Sequence, residues 1–137
     1  MILADTSAWV EYDRATGTKA DLRMQTLLAR PHQLATTEPV IMEIAAGARN
    51  DARAGDLRRL LHRCDLIPFD SETDFDGAVR IYRTCRQTGV TPRGLIDCMI
   101  AAVARRAGAS ILAHDADMVR VAAVFDIEID TGSISPA

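Results

Sequence analysis

The sequence predicts an α/β fold, a three-layer α/β/α sandwich around a central, mostly parallel sheet. Three observations predict it. Apolar runs of strand length alternate with longer stretches of helical period along the whole chain. The 137 residues suit a single domain that can bury a core without disulfides or a structural metal. The composition, 48% apolar and 26% charged, is that of an ordinary globular chain and excludes disordered, collagen-like and low-complexity classes. Strand–helix alternation at these lengths places helices on both faces of a parallel sheet.

Ile2-Leu3-Ala4 is apolar and too short for a helix, so it reads as a buried strand ending at Asp5. A helix follows over 7–14, with Trp9, Val10 and Tyr12 as its apolar members, and then a polar turn with Gly17. Leu22, Leu27 and Leu28 mark a second helix that ends near Pro31, and residues 33–36 form a weak strand. Thr37 and Pro39 open a third helix as cap and first-turn residue; it is apolar over 40–48 except for Glu43. Asp56 suits the cap of a fourth helix that turns Leu57, Leu60 and Leu61 inward. Residues 66–69 read as a strand, and Ser71 opens a long helix with Phe75, Val79 and Tyr82 on one stripe, stopped by Gly89.

Pro92 and Gly94 precede a helix over 95–106 that is apolar nearly all round and should be buried. Residues 110–113 form a strand, Asp115 starts a helix containing Met118, Val121, Ala122 and Val124, and 127–129 alternate as a last strand. Residues 1–132 thus make one domain, without linker or repeat, and 133–137 a short tail that looks frayed.

No apolar run approaches the roughly 18–20 residues of a membrane span, and the N-terminus lacks a basic signal-peptide head. The expectation is a soluble, cytoplasmic protein with no membrane partner. Cys64, Cys85 and Cys98 are odd in number and lack a CxxC pair, so they read as buried thiols in a reducing compartment and not as a zinc site. A net charge of −3 argues against a non-specific DNA coat. Fifteen of the sixteen basic residues are arginine, Lys19 being the exception. Arginine suits bidentate phosphate contacts, and genome composition would give the same bias.

The informative residues are carboxylates in unusual places. Asp5 ends the first strand, Asp115 lies just beyond the strand at 110–113, and Asp117 follows two later. Glu43 and Asp97 interrupt otherwise apolar helices. Taken singly, each has an ordinary structural role: Asp5 and Asp115 as helix caps, Asp97 and Asp117 as first-turn acids favoured by the helix dipole, Glu43 as a solvent-facing side chain. Taken together they are harder to explain structurally. Parallel sheets bind ligands beyond the carboxyl ends of their strands, and buried acids need a partner or a cation. Arg93, one turn before Asp97, and Lys19 do not neutralise all five. Carboxylate oxygens without a converging His/Cys set select Mg²⁺, with Mn²⁺ as a substitute.

Asp5-Thr6-Ser7, Glu43 within Pro39-Val40-Ile41-Met42-Glu43-Ile44, Asp97-Cys98-Met99-Ile100-Ala101-Ala102 and His114-Asp115-Ala116-Asp117 resemble the ordered acidic motifs of PIN-domain ribonucleases. The resemblance spans essentially the whole chain and is nearest to the VapC-type toxins of toxin–antitoxin pairs. It implies a PIN-like α/β/α sandwich, Mg²⁺-dependent endonuclease action on RNA, a homodimer, and inhibition by a cognate antitoxin. The family's acidic positions fall on Asp5, Glu43, Asp97 and Asp115, with Asp117 as an accessory acid and Ser7 as the hydroxyl two after the first acid. Two positions depart: Ala113 stands where the family often has Thr, and Met118 where it often has Phe. Loss of the Thr hydroxyl would weaken support of Asp115.

On this reading Asp5 and Asp97 are the main metal ligands, and Asp115 with Asp117 completes a second or shared site. Glu43 holds a water or acts as base, Ser7 contacts an outer water or a phosphate oxygen, and Arg93 supports the site. Setting the five acids aside turns the net charge from −3 to +2. Two arginine-rich stretches, Arg49 to Arg63 and Arg80, Arg83 and Arg86, then offer phosphate contacts, although a solvated helix face explains any single one equally well. Aromatics make up only 4%, so base stacking along a groove is minor, and the family suggests a structured RNA such as tRNA. Trp9 and Tyr12 read as core or dimer contacts and His114 as a bystander.

Two other readings compete for the same residues. An aspartyl-phosphate domain also gathers acids at strand ends, but it needs a lysine near the phosphoryl group, and Lys19 lies in an early polar turn. A PIN-like domain that binds RNA or antitoxin without cutting would accommodate Ala113 and Met118, while the presence of all four main acids argues against it.

Overall fold

Four short strands build the sheet: β1 (Ile2–Ala4), β2 (Leu34–Thr36), β3 (Asp65–Leu66) and β4 (Ser110–Leu112). All pair in parallel, in the order β3-β2-β1-β4. Leu3, Ala4, Leu34, Ala35, Ile111 and Leu112 are buried, as strands covered on both faces must be. The structure is a computed structural model that describes residues 1–136.

Seven helices are present among the described residues: α1 (Thr6–Asp13), α2 (Lys19–Ala29), α3 (Glu38–Gly47), α4 (Asp51–Leu61), α5 (Asp74–Gln87), α6 (Leu95–Ala107) and α7 (Ala116–Val124). The chain steps outward from β1 to β2 to β3 through α1–α4, then returns across the sheet through α5 and α6 to β4. Right-handed crossovers in opposite directions deliver helices to opposite faces. Accordingly α5, α6 and α7 pack together, and α1 packs with α2 and α3. The expected three-layer sandwich is the observed one. No helix among the described residues is long and apolar enough to cross a membrane.

Several local expectations are corrected. α4 begins at Asp51, because the Asn50 side-chain carbonyl accepts the Arg53 amide at 2.8 Å; Asp56 lies inside the helix and pairs with Arg59. β3 covers only 65–66: the Ile67 amide still reaches Thr36 O at 2.8 Å, and Pro68 then has no N–H to continue the ladder. α5 starts at Asp74 rather than near Ser71. Its buried stripe is Ala78, Ile81 and Cys85, while Phe75 and Val79 stay 52% and 51% exposed. α6 is buried over most of its length, as Cys98 and Ile100–Ala104 show, but Leu95 in its first turn is exposed.

The last strand is reduced to a single parallel bridge between Ile111 and Ile129. Beyond it the chain is pulled aside, because Arg23 grips Asp130 through two nitrogens at 3.0 and 3.1 Å. Gly132 then passes so near that a Cβ would lie 2.5 Å from Arg23 Cβ and Cγ. The tail is not frayed at its start. Ser133 is buried, its hydroxyl accepts the Ala113 amide at 3.0 Å, and the Ile134 amide donates to Ala113 O at 2.9 Å. Ala137 lies outside the described residues. Cys64, Cys85 and Cys98 are buried free thiols, as expected.

Candidate active site

The register Ala4↔Leu112 sets the carboxyl ends of β1 and β4 side by side. From β1 the chain moves one way to β2, whereas β4 is added on β1's other side, so this is the sheet's switch point, where such folds bind ligands. Asp5 follows β1 directly, and its amide donates to Leu112 O at 2.9 Å. Asp115 lies three residues beyond β4. Both are helix caps, as their positions suggested. Asp5 Oδ2 accepts the Ser7 amide at 3.3 Å and the Ser7 hydroxyl at 2.6 Å. Asp115 Oδ1 accepts the Asp117 amide at 3.0 Å.

Capping occupies only one oxygen of each. Among the described residues Asp5 Oδ1 is buried with no hydrogen-bond partner, and Asp115 Oδ2 has only Arg93 Nε, at 3.9 Å. Asp97, the third residue of α6, likewise holds Oδ2 buried and unpartnered. Glu43, midway along α3, is oriented by the Thr6 hydroxyl, which donates to its Oε1 at 2.6 Å. Asp5, Glu43, Asp97 and Asp115 line one cavity of about 260 Å³, together with Ser7, Arg93 and others. Four acids separated by up to 110 residues in sequence therefore share one concavity.

Their charges oppose one another. Burial, and behind it the Asp115 and Glu43 charges, push the Asp5 carboxyl up to about 6 despite the two Ser7 hydrogen bonds. Burial followed by Asp5, Asp115 and Glu43 push Asp97 up to about 7, with Arg93 acting in the opposite direction. Unpartnered oxygens and mutual repulsion are what a carboxylate site shows when it is arranged for a divalent cation. Among the described residues no three Asp, Glu, His or Cys side chains form a group that could hold a metal ion as they stand. The donor set, hard oxygen without thiol, is of the type that suits a hard cation such as Mg²⁺.

Asp117 does not join the cluster. Its carboxylate points to Arg120, at 3.1 Å, is partly exposed, and does not line the cavity; only its amide serves the site, through Asp115. Arg93 does line it, largely exposed. Sequence reasoning missed Glu11 and Thr6 and set His114 aside. All three line the cavity, with His114 Nε2 3.4 Å from Glu11 Oε1. Glu11 falls one helical turn after Ser7, a spacing that could have revealed it. Trp9 is a core residue, edge-on to Tyr12.

Residues 2–124 match the PIN domain. Over 129 residues the chain is 43% identical to VapC ribonuclease Mb1587 of Mycobacterium bovis, covering 93% of this chain and 96% of that one. The same figures hold for Ribonuclease VapC11 of Mycobacterium tuberculosis. The fold resembles VapBC2 of Rickettsia felis bound to a promoter DNA fragment, with a TM-score of 0.74 and 16% identity over 98% of this chain and 100% of that one. It also resembles VapBC-1 of nontypeable Haemophilus influenzae, with a TM-score of 0.69 and 20% identity over 96% and 98% of the two chains. The chain belongs to the PIN-domain family, in its VapC branch.

Proposed function

We propose that this protein is a Mg²⁺-dependent endoribonuclease toxin that hydrolyses RNA phosphodiesters and is inhibited by a cognate antitoxin. The observation that carries the proposal is the pair of buried, unpartnered oxygens, Asp5 Oδ1 and Asp97 Oδ2, in a cavity shared with Glu43 and Asp115. The relatives' names as ribonucleases and the neighbours' description as VapBC proteins support the rest.

Asp5 and Asp97 would hold the ion, with Asp115 as a further ligand. When bound, Mg²⁺ neutralises charge on the phosphoryl oxygens and acidifies water. The chain's residues do the positioning. Thr6 fixes Glu43, which in this reading would orient a water and take its proton. Ser7 holds Asp5 and the His114 amide in one arrangement, and Arg93 offers the mouth of the cavity a guanidinium for the substrate phosphate. Asp117 acts through its amide alone.

A homodimer is part of the reading. Met42, Phe69, Phe75 and Met99 line an apolar cleft of about 190 Å³ on the outer surface of α3, α5 and α6. A structured RNA such as tRNA is the proposed substrate, because that is what the resemblance to VapC-type ribonucleases suggests; the low aromatic content argues only against extended base stacking. The test is incubation of purified protein with total RNA in Mg²⁺, in EDTA, and with Asp97→Asn. Cleavage in the first condition only is the expected result. Cleavage that persists in EDTA or in Asp97→Asn refutes the proposal.

A further inference from the structure

The outward face of α5 changes character along its length. Phe75 and Val79 make its first half apolar, whereas Tyr82, Arg83, Arg86 and Gln87 line an open cleft of about 350 Å³ in its second half. Arg80, Arg83 and Arg86 recur every third residue and so form a ridge over about a third of the helix circumference. All three are exposed, and among the described residues none has a carboxylate within 4 Å, unlike seven other arginines of the chain. Arg86 instead leans over the Tyr82 ring, 5.9 Å from its centroid, and donates to the phenol oxygen at 3.3 Å.

This surface sits at the end of the molecule that carries the acidic cavity. α5 and α6 pack along one another and are joined by residues 88–94. The last turn of α5 and the first turn of α6, which carries Asp97, therefore lie at the same end, and Arg93 in the connection lines the cavity. A cavity of clustered carboxylates repels a polyanion, so affinity for nucleic acid has to come from outside it.

We infer that the C-terminal half of the α5 outer face is an RNA-docking subsite, with Arg83 and Arg86 on backbone phosphates and the Tyr82 ring under one nucleobase. The inference rests on the ribonuclease reading and names where that substrate is held. RNA fits better than an acidic protein segment, because cationic groups alternate here with an aromatic face and sugar-phosphate chains offer both counterparts.

The test uses a fluorescein-labelled RNA hairpin and fluorescence anisotropy, in an Asp97→Asn background that prevents cleavage, across about 50–200 mM KCl. Arg83→Gln/Arg86→Gln should lower affinity at least about tenfold at low salt and reduce the log–log salt slope by between about 1 and 2, because two phosphate contacts are lost. Tyr82→Ala should weaken binding about tenfold while Tyr82→Phe binds like the parent. Arg83 and Arg86 are exposed, so circular dichroism and melting of their double variant should be unchanged. Tyr82 is half-buried against the core, so Tyr82→Ala is compared at a temperature where its circular dichroism matches the parent's, and Tyr82→Phe keeps the packing. An unchanged affinity and slope overturn the inference. So does intact RNA binding together with lost co-purification of a co-expressed antitoxin, which would make the face a protein contact. If instead the variants lose RNA binding while the unaltered chain never cleaves RNA in Mg²⁺, the subsite stands and the ribonuclease reading fails.

Discussion

The Ser7 hydroxyl donates to Asp5 Oδ2 at 2.6 Å and accepts the His114 amide at 2.9 Å. One side chain thus ties the end of β1 to the loop after β4 and leaves Asp5 Oδ1 free for the cavity. Ser7→Ala removes both links. Activity in Mg²⁺ is expected to fall about 10- to 100-fold, the usual cost of losing a group that orients a metal ligand. Stability should fall by only about 1 kcal/mol. Ser7→Thr keeps the hydroxyl and should retain most activity. RNA cleavage rates and thermal melts of the three proteins check this, and an Ala variant as active as the parent contradicts it.

Asp97→Asn separates activity from stability. It removes an acid that Asp5, Asp115 and Glu43 repel, so the metal-free protein should melt at a higher temperature at pH 7.5 than the parent. Cleavage should drop by orders of magnitude, and the rise in Tm on adding Mg²⁺ should shrink or vanish. A lower Tm for the metal-free variant would show that Asp97 stabilises the fold instead.

The same acids set a pH dependence with a defined sign. Folding raises Asp5 to about 6 and Asp97 to about 7. A raised carboxyl favours folding while protonated; its contribution is complete below the ordinary value near 4 and is lost as pH climbs through about 6–7. Asp74 behaves oppositely. Burial opposes its ionisation, but Arg106 at 2.8 Å and the backbone hold it below the usual range. Its contribution is present above pH about 4 and lost as pH falls further. The metal-free protein should therefore melt highest near pH 5 and lose Tm toward pH 7.5. Mg²⁺ should reverse that trend, because ligands must shed protons to bind it. Melting curves from pH 4 to 8 with and without Mg²⁺ decide the matter.

Legibility in the sequence followed how local the determining force was. β1 and β4 were visible because parallel strands buried on both faces read as unbroken apolar runs. The caps Asp5 and Asp115 were visible because capping is a contact within two residues. Asp56 reads as a cap in the sequence because it directly precedes the apolar Leu57, Leu60 and Leu61, whereas the cap in the fold is Asn50, six residues earlier in a polar stretch without an apolar signal. The α5 stripe was misread because Phe75, Val79 and Tyr82 share the 3.6-residue period with a smaller set, Ala78, Ile81 and Cys85. Close packing against α6 selects the small side chains, as Gly77 shows, where a Cβ would stand 3.2 Å from Ala102 Cβ. Asp117 joins the ligands in the sequence because the family resemblance carries it as an accessory acid; in the fold its carboxylate pairs with Arg120, one turn along the same helix, a local contact that the resemblance does not encode.

Asp115 and Asp117 should accordingly part company under mutation. Asp115→Asn weakens a cavity carboxylate and should cut cleavage at least about a hundredfold, the order expected when a metal ligand is compromised. Asp117→Asn leaves the backbone amide that serves Asp115 and breaks only a surface ion pair with Arg120. Its effect should stay within about threefold in rate and about 0.5 kcal/mol in stability. Equal losses in the two variants would return Asp117 to the ligand set.

The apolar face is the remaining quantity to measure. Met42 is 51% exposed, and Phe75 packs edge-on against Phe69 with centroids 4.8 Å apart while keeping half its surface open. Exposed apolar patches of this kind mark contact surfaces. In the proposed homodimer, Phe75→Glu places a charge where two copies meet and should shift the protein from dimer to monomer in light scattering. Its own fold should survive, because the buried stripe of α5 is Ala78, Ile81 and Cys85 and is untouched. A parent protein that is already monomeric at tens of micromolar, or a Phe75→Glu variant that remains dimeric, removes this face as the dimer contact.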